Sequence, residues 1–239
     1  MLKICVIPAR GGSKRIPRKN IKSFCGKPII AYPIEAALAS GLFDQVIVST
    51  DDTEIAETAL AFGAMVPFKR PIDLSDDHTA TAPVLLHALE WVEQQGNVVS
   101  EMTCLYPSTP FLTADLLNAA YVHWKKTQAE FCFAVSEYPS APQRALSMNV
   151  EGRMSSMYPE FRSTRTQDLD KAYFDVGQFY FCDAQAFKKE LNLHSPKACG
   201  YVLPKSLAHD IDTLDDWHLA EIFYQVLPKL SEKQDARIK

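Results

Sequence analysis

LKICVIPARGGSKRIPRKNI, residues 2–21, is the stretch from which the fold can be read. Its first part, LKICVIPA, has the β-branched and small apolar residues of a buried strand. Gly11 and Gly12 then open a polar loop in which Arg10, Lys14, Arg15, Arg18 and Lys19 crowd together. A strand that ends in a glycine-containing basic loop puts that loop where open α/β sheets bind ligands, beyond the carboxyl ends of the strands.

Working outward, strand and helix patterns alternate. KPIIAYPIEAALAS reads as a helix, FDQVIVST as a strand, and DDTEIAETALAFG as a helix stopped at Gly63. AMVPFKRP reads as a short strand ending at Pro71, followed by a helix over TAPVLLHALEWVEQQG and a strand over EMTCLYPS. A helix over TADLLNAAYVHWKKT and a strand over EFCFAVSEYP come next. This alternation predicts a mostly parallel sheet covered on both faces. The rhythm breaks between about 137 and 175, a segment rich in Ser, Pro, Met and Arg, which reads as an inserted arm. Pattern returns with AYFDVGQFYFCDAQAFKKEL, and GYVLPKSLAHDIDTLDDWHLAEIFYQVL reads as a strand running into the last helix. All of 1–239 is read as one domain carrying that arm.

Composition narrows the class. The chain has 239 residues, 47% hydrophobic and 23% charged, as in ordinary soluble globular proteins. No apolar run approaches the roughly 20 residues that span a bilayer. The opening apolar run is too short for a secretory signal and is cut by Pro8 and Arg10, so a cytoplasmic location is expected. Six cysteines without a CxxC pair argue for reduced core thiols rather than zinc or disulfides. Residues 1–34 hold eight Lys or Arg and no Asp or Glu, whereas the whole chain has net charge −4. The first element therefore faces an anionic partner or forms a solvated basic edge.

Two common phosphate loops are absent. GKP at 26–28 puts proline where a P-loop needs Ser or Thr, with Ile21 where its first glycine belongs. No GxGxxG occurs among the nine glycines. What remains is a loop whose amides can approach a phosphate and whose Lys and Arg supply full charge, or else a flexible basic loop without a ligand. Its single aromatic, Phe24, provides no stacking platform for nucleic acid.

HDIDTLDDW, residues 209–217, carries the second signal. In extended chain Asp210 and Asp212 share a face about 7 Å apart, suited to a Mg²⁺ that also binds phosphates. Thr213 and Asp216 form a capping box for the helix that follows, which leaves Asp210 and Asp212 unexplained. STDDTE at 49–54 reads as helix capping by Asp51, and Asp77 or Thr79 could likewise be a cap. A basic loop and a carboxylate pair at strand ends together suggest nucleotide chemistry with Mg²⁺.

The opening loop resembles the signature of the cytidylyltransferases that activate nine-carbon 2-keto sugar acids, the CMP-sialic acid synthetase group. That pattern is (I/L)-x-A-R-x-x-S-K-x-(I/L)-x-x-K-N-(I/L), here IPARGGSKRIPRKNI. DQVIVSTDDTEIAETALAFGA, KRPIDLSDDHTAT, LYPSTPF and DIDT extend the likeness over most of the chain, in order. LYPSTP, with Tyr106 where the sialic acid enzymes have glutamine, and FDVGQFYF in place of PNGA(I/F)Y look like the pseudaminic acid branch of that family, as does RSTRTQDL.

The resemblance implies a Rossmann-like three-layer nucleotide-diphospho-sugar transferase fold, a homodimer made through the arm, and CMP transfer from CTP for bacterial surface glycosylation, notably of flagellin. By resemblance Pro8, Ala9, Arg10, Gly11, Gly12, Ser13, Lys14, Lys19 and Asn20 hold the CTP phosphates, while Arg70, Asp77 and Thr79 lie near the cytidine. Tyr106, Gln167, Asp175 and Gln178 meet the sugar acid, and Arg162 or Arg165 neutralises its carboxylate, across a dimer interface if need be. Asp210 and Asp212 carry Mg²⁺, while Arg10 and Lys19 stabilise the transition state; no general base stands out. The same chemistry on N-acetylneuraminic, legionaminic or deoxyoctulosonic acid, and a non-catalytic nucleotide- or RNA-binding protein, are the alternatives. No membrane or nucleic-acid partner is expected.

Overall fold

The computed structural model describes residues 1–76 and 79–235. The chain runs through β1 (Leu2–Pro8), β2 (Ser23–Phe24), β3 (Lys27–Pro28), α1 (Ala31–Ser40), β4 (Gln45–Ser49), α2 (Thr53–Ala61), α3 (Thr81–Gln94) and β5 (Val99–Leu105). It continues through α4 (Ala114–Thr127), β6 (Phe131–Glu137), β7 (Leu146–Met148), β8 (Met154–Ser156), β9 (Tyr173–Asp183), α5 (Ala184–Glu190), β10 (Ala198–Val202) and α6 (Leu214–Asp235). No described helix is long and apolar enough to cross a membrane.

Six strands form the central sheet in the order β10-β6-β9-β5-β1-β4. β4, β1 and β5 pair in parallel, as do β6 and β10, and β9 runs antiparallel between β5 and β6. The period of two along a strand is plain in β1. Cys5 and Ile7 enter one core with residues of α1, α2 and α4, whereas Ile4 and Val6 enter the other with α3 and α5. These two faces make the three layers. A third apolar cluster joins Ile16, Phe24, Ile29 and Tyr32 to Phe111, Ile211 and Trp217, so it clamps the segment after β1 against α6.

Four sequence readings are corrected in detail. The expected strand over AMVPFKRP shrinks to one bridge, Met65 on Ile47. Met65 donates to Val46 at 2.7 Å and accepts from Val48 at 2.8 Å, and the next amide facing β4 would belong to Pro67, which has no N–H. The expected helix from Lys27 begins only at Ala31, because Lys27–Pro28 pair with Ser23–Phe24 in a hairpin turned at Gly26. Asp52, not Asp51, caps α2, accepting from the Ile55 amide at 3.0 Å. The last strand ends at Val202, and Pro204 and a 3-10 turn at Lys205–Leu207 separate it from α6. The capping box stands as read, with the Asp216 carboxylate accepting from the Thr213 amide at 2.8 Å. The cysteines are free thiols.

The arm between β6 and β9 holds the β7–β8 hairpin. It exposes Leu146, Met148, Val150, Met154 and Met157.

Candidate active site

The loop after β1 is held from beneath. Ala9 is fully buried and its amide donates to the Ser49 carbonyl at 2.9 Å. Asn20 is buried, and its side-chain amide donates to the Arg10 carbonyl at 2.9 Å, bracing the loop. The Gly11 amide donates to Asp51 at 3.1 Å, and a Cβ on Gly11 would come within 2.7 Å of the Asp52 carboxylate. Only glycine allows so close an approach. Arg18, at φ 56°, reaches both Asp52 oxygens at 2.5 and 3.0 Å and Glu54 at 2.7 Å. That two-point bond holds the Asp52 carboxyl below its ordinary range.

Above the loop is a cleft of about 590 Å³. It is lined by Pro8, Arg10, Ser13, Lys14, Arg15, Ile16, Lys19 and Asn20 from the loop, by Tyr106, Pro107, Ser108 and Gly177 from the end of β5 and the bend of β9, and by His209, Asp210 and Asp212 from the segment before α6. The segment bearing the carboxylates is anchored by Ile211, which is 1% exposed. Lys19 donates from Nζ to the Ile211 carbonyl at 2.5 Å and lies 3.7 Å from Asp212. Arg15 meets Asp212 with two nitrogens, at 2.8 and 2.9 Å. Burial lowers the pKa of Lys19, whereas burial and the neighbouring Asp212 raise that of Asp210. Two carboxylates suit a hard cation that keeps water and phosphate oxygens in its shell. Among the described residues no third Asp, Glu, His or Cys joins them.

Other candidate residues stand farther back. A Cβ built on Gly12 would meet nothing within 4 Å, and Asp77 is outside the described residues. Arg70 is buried; its Nε donates to the Ser49 hydroxyl at 3.1 Å and another nitrogen donates to the Ser49 carbonyl, under the loop. Burial pushes its pKa down to about 10. The Thr79 hydroxyl bonds Asp76 at 2.7 Å, and the Asp76 carbonyl accepts from Arg10 at 2.8 Å, so this segment touches the rim of the cleft.

Gln178 is 1% exposed and does not line the cleft; its amide donates to the Leu207 carbonyl at 2.6 Å. Asp175 accepts from the Gly177 amide at 2.8 Å and the Tyr180 hydroxyl at 2.6 Å, beside the cleft wall. Arg162, Arg165 and Gln167 lie in the arm and are not among the residues that line this chain's cleft. Arg165 instead pairs with Asp168 at 2.7 Å, and the Arg162 carbonyl accepts from Arg144 at 3.1 Å.

The cleft also contains residues to which sequence reasoning gave no role, among them Ser108, Gly177 and His209. Arg15 stood in the basic run, but its partner 197 residues away is visible only in the fold. His209 is wedged between Phe111 and Phe223, at centroid distances of 4.9 and 4.6 Å.

A mostly parallel α/β sheet with a basic loop and two carboxylates at one strand-end cleft defines the nucleotide-handling class of open α/β proteins. The model of the cytidylyltransferase family matches residues 4–180, and the chain belongs to that family. It is 44% identical over 226 residues, 95% of this chain and 97% of the relative, to a pseudaminic acid cytidylyltransferase of Campylobacter jejuni. It is 32% identical to a CMP-N,N'-diacetyllegionaminic acid synthase of Legionella pneumophila, over 91% of this chain and 94% of that one. A solved CMP:2-keto-3-deoxy-manno-octonic acid synthetase complexed with CTP shares the fold, with a TM-score of 0.66 over 96% of this chain and 100% of that chain, at 18% identity.

Proposed function

We propose that this enzyme transfers CMP from CTP to a nine-carbon 2-keto sugar acid, pseudaminic acid, and releases pyrophosphate. The observation that carries the reading is the meeting of the basic loop and the Asp210–Asp212 pair in one cleft. The near-full-length likeness to a pseudaminic acid cytidylyltransferase supports the choice of sugar.

In this reading the anomeric hydroxyl oxygen forms a bond to the α-phosphorus. The bond from that phosphorus to the bridging oxygen of the β-phosphate breaks, and the hydroxyl proton leaves to solvent. Arg10, Lys14 and Lys19 face the cleft and meet the charge of the triphosphate. Gly12 would offer its amide and Ser13 its hydroxyl, while the Gly11 and Ser13 amides, which donate to Asp51 and to the Gly11 carbonyl, hold the loop in shape around the phosphates. Asn20 and Arg70 brace the loop from behind. Asp210 and Asp212 would hold Mg²⁺, which supplies charge neutralisation at the phosphates. Tyr106 and Gly177 form the sugar-acid end. The chain is read as one cytoplasmic domain whose arm, with its exposed apolar hairpin, pairs two copies and could bring Arg162 or Arg165 of one to the cleft of the other.

The test is pyrophosphate release from each of the four NTPs with Mg²⁺, against pseudaminic, N-acetylneuraminic, legionaminic and deoxyoctulosonic acids. Release with CTP and pseudaminic acid alone is expected. Release with CTP and another acid would keep the chemistry and discard the sugar. No release from any pair by folded protein that binds CTP would leave a nucleotide-binding protein. Sedimentation of the intact chain tests the dimer, which a monomer at micromolar concentration would overturn.

A further inference from the structure

We propose that His194 is a positioning residue for the sugar-acid end of the cleft, a role that rests on the function proposed above. His194 lies on the connection between α5 and β10 and does not line the cleft. Its Nε2 meets the Asp175 carboxylate at 2.6 Å. The same carboxylate oxygen accepts from the Tyr180 hydroxyl at 2.6 Å, and the other accepts from the Gly177 amide at 2.8 Å. The pairing is assigned with Nε2 donating and the carboxylate accepting, as the two other donors on that carboxylate require. The imidazole is also held by ring contacts, 5.0 Å from Phe133 and 5.8 Å from Tyr180.

Three donors from two separate segments therefore fix one carboxylate, and that carboxylate fixes the backbone at Gly177. Gly177 needs the fixing. Its φ of +65° breaks the extended run of β9, and the β6–β9 register shifts between Phe133 and Val135. A Cβ placed on Gly177 would sit 3.6 Å from the Tyr106 ring, so the two residues form one continuous wall. The chain of contact runs from His194 through Asp175 to Gly177 and so to the surface on which the sugar acid would rest.

The test compares His194→Ala and His194→Gln with the wild-type enzyme by steady-state kinetics and by amide exchange of the β9 segment. Expected for His194→Ala is a KM for the sugar acid raised on the order of tenfold, with the KM for CTP held within about twofold. The Gly177 amide should exchange faster in that variant. Gln, which returns an N–H near the Nε2 position, should restore both. Equal rises in the two KM values, or unchanged exchange at Gly177, would overturn the proposal. If the wild type uses no sugar acid at all, the proposed function fails, and the exchange measurement alone decides whether His194 sets the wall.

Discussion

Arg15 grips both carboxylate oxygens of Asp212, at 2.8 and 2.9 Å, although 197 residues separate them in sequence. The pair is open to solvent, with side chains 67% and 37% exposed, and such pairs add at most about 1 kcal/mol to stability. Asp212→Ala should therefore leave the melting temperature nearly unchanged. Turnover should fall on the order of 10²-fold or more, as expected when a group that organises transition-state charge is lost. Pyrophosphate release and a thermal melt on the same sample check both. Full turnover in the folded variant would remove the metal assignment.

Gly11→Ala tests the loop. The new methyl would lie 2.7 Å from the Asp52 carboxylate, which is itself tied to Arg18, so the loop rather than the carboxylate should shift. The Gly11–Asp51 hydrogen bond would be lost. We expect the KM for CTP to rise on the order of tenfold, with a smaller effect on the sugar acid. Unaltered CTP affinity, measured by calorimetry, would show that the loop amides do not hold the nucleotide.

Asp52 gives a pH signature. Its folded-state pKa lies below the ordinary 3.8, chiefly through its bond to Arg18. A carboxyl shifted down contributes stability that is fully present above its unfolded value and is lost as pH falls through its folded value. Asp52→Asn keeps a good cap but loses the charge that faces Arg18, so it should be less stable than wild type at neutral pH by at most about 1 kcal/mol and should lose less on acidification. Parallel acid-denaturation curves for the two proteins would contradict this.

Gly177→Ala imposes an L side chain on a left-handed backbone at φ +65°, at about 1–2 kcal/mol. The Tyr106 ring at 3.6 Å leaves ordinary contact room, so strain and not collision sets the loss. Denaturant midpoints should shift by that amount. A neutral or stabilising result would mean that β9 bends without help from glycine.

The loop from Arg10 to Asn20 was legible because its chemistry is local: strand, glycines and cations adjoin in sequence. The carboxylate pair was legible because the capping box at Thr213 and Asp216 left Asp210 and Asp212 without other work. Less legible was the choice between Asp51 and Asp52. One residue of register exchanges a helix cap for a loop anchor, and only the backbone dihedrals decide which. Gln178 and Asp175 are assigned to substrate by resemblance; what their sequence did not show is that the Gln178 Nε2 donates to Leu207 and that Asp175 accepts from Tyr180. Such pairings join strands and loops far apart in sequence and leave no periodic trace. The same holds for His194, a lone histidine in sequence with nothing nearby to mark it.

The place of β9 in the sheet has a consequence for how the chain is made. β5 and β6 are successive strands, but neither can close on the other, because β9 lies between them. Until residues 173–183 have left the ribosome, the nascent protein carries β4-β1-β5 as one ribbon and β6 apart from it, each with an open edge. Synthesis stalled within the arm would thus leave those two adhesive edges unpaired, whereas a stall late enough for residues 173–183 to have emerged would leave neither of them unpaired. The two parts of the sheet are joined from the middle before β10 is added at the edge, and the strand that joins them carries Gly177.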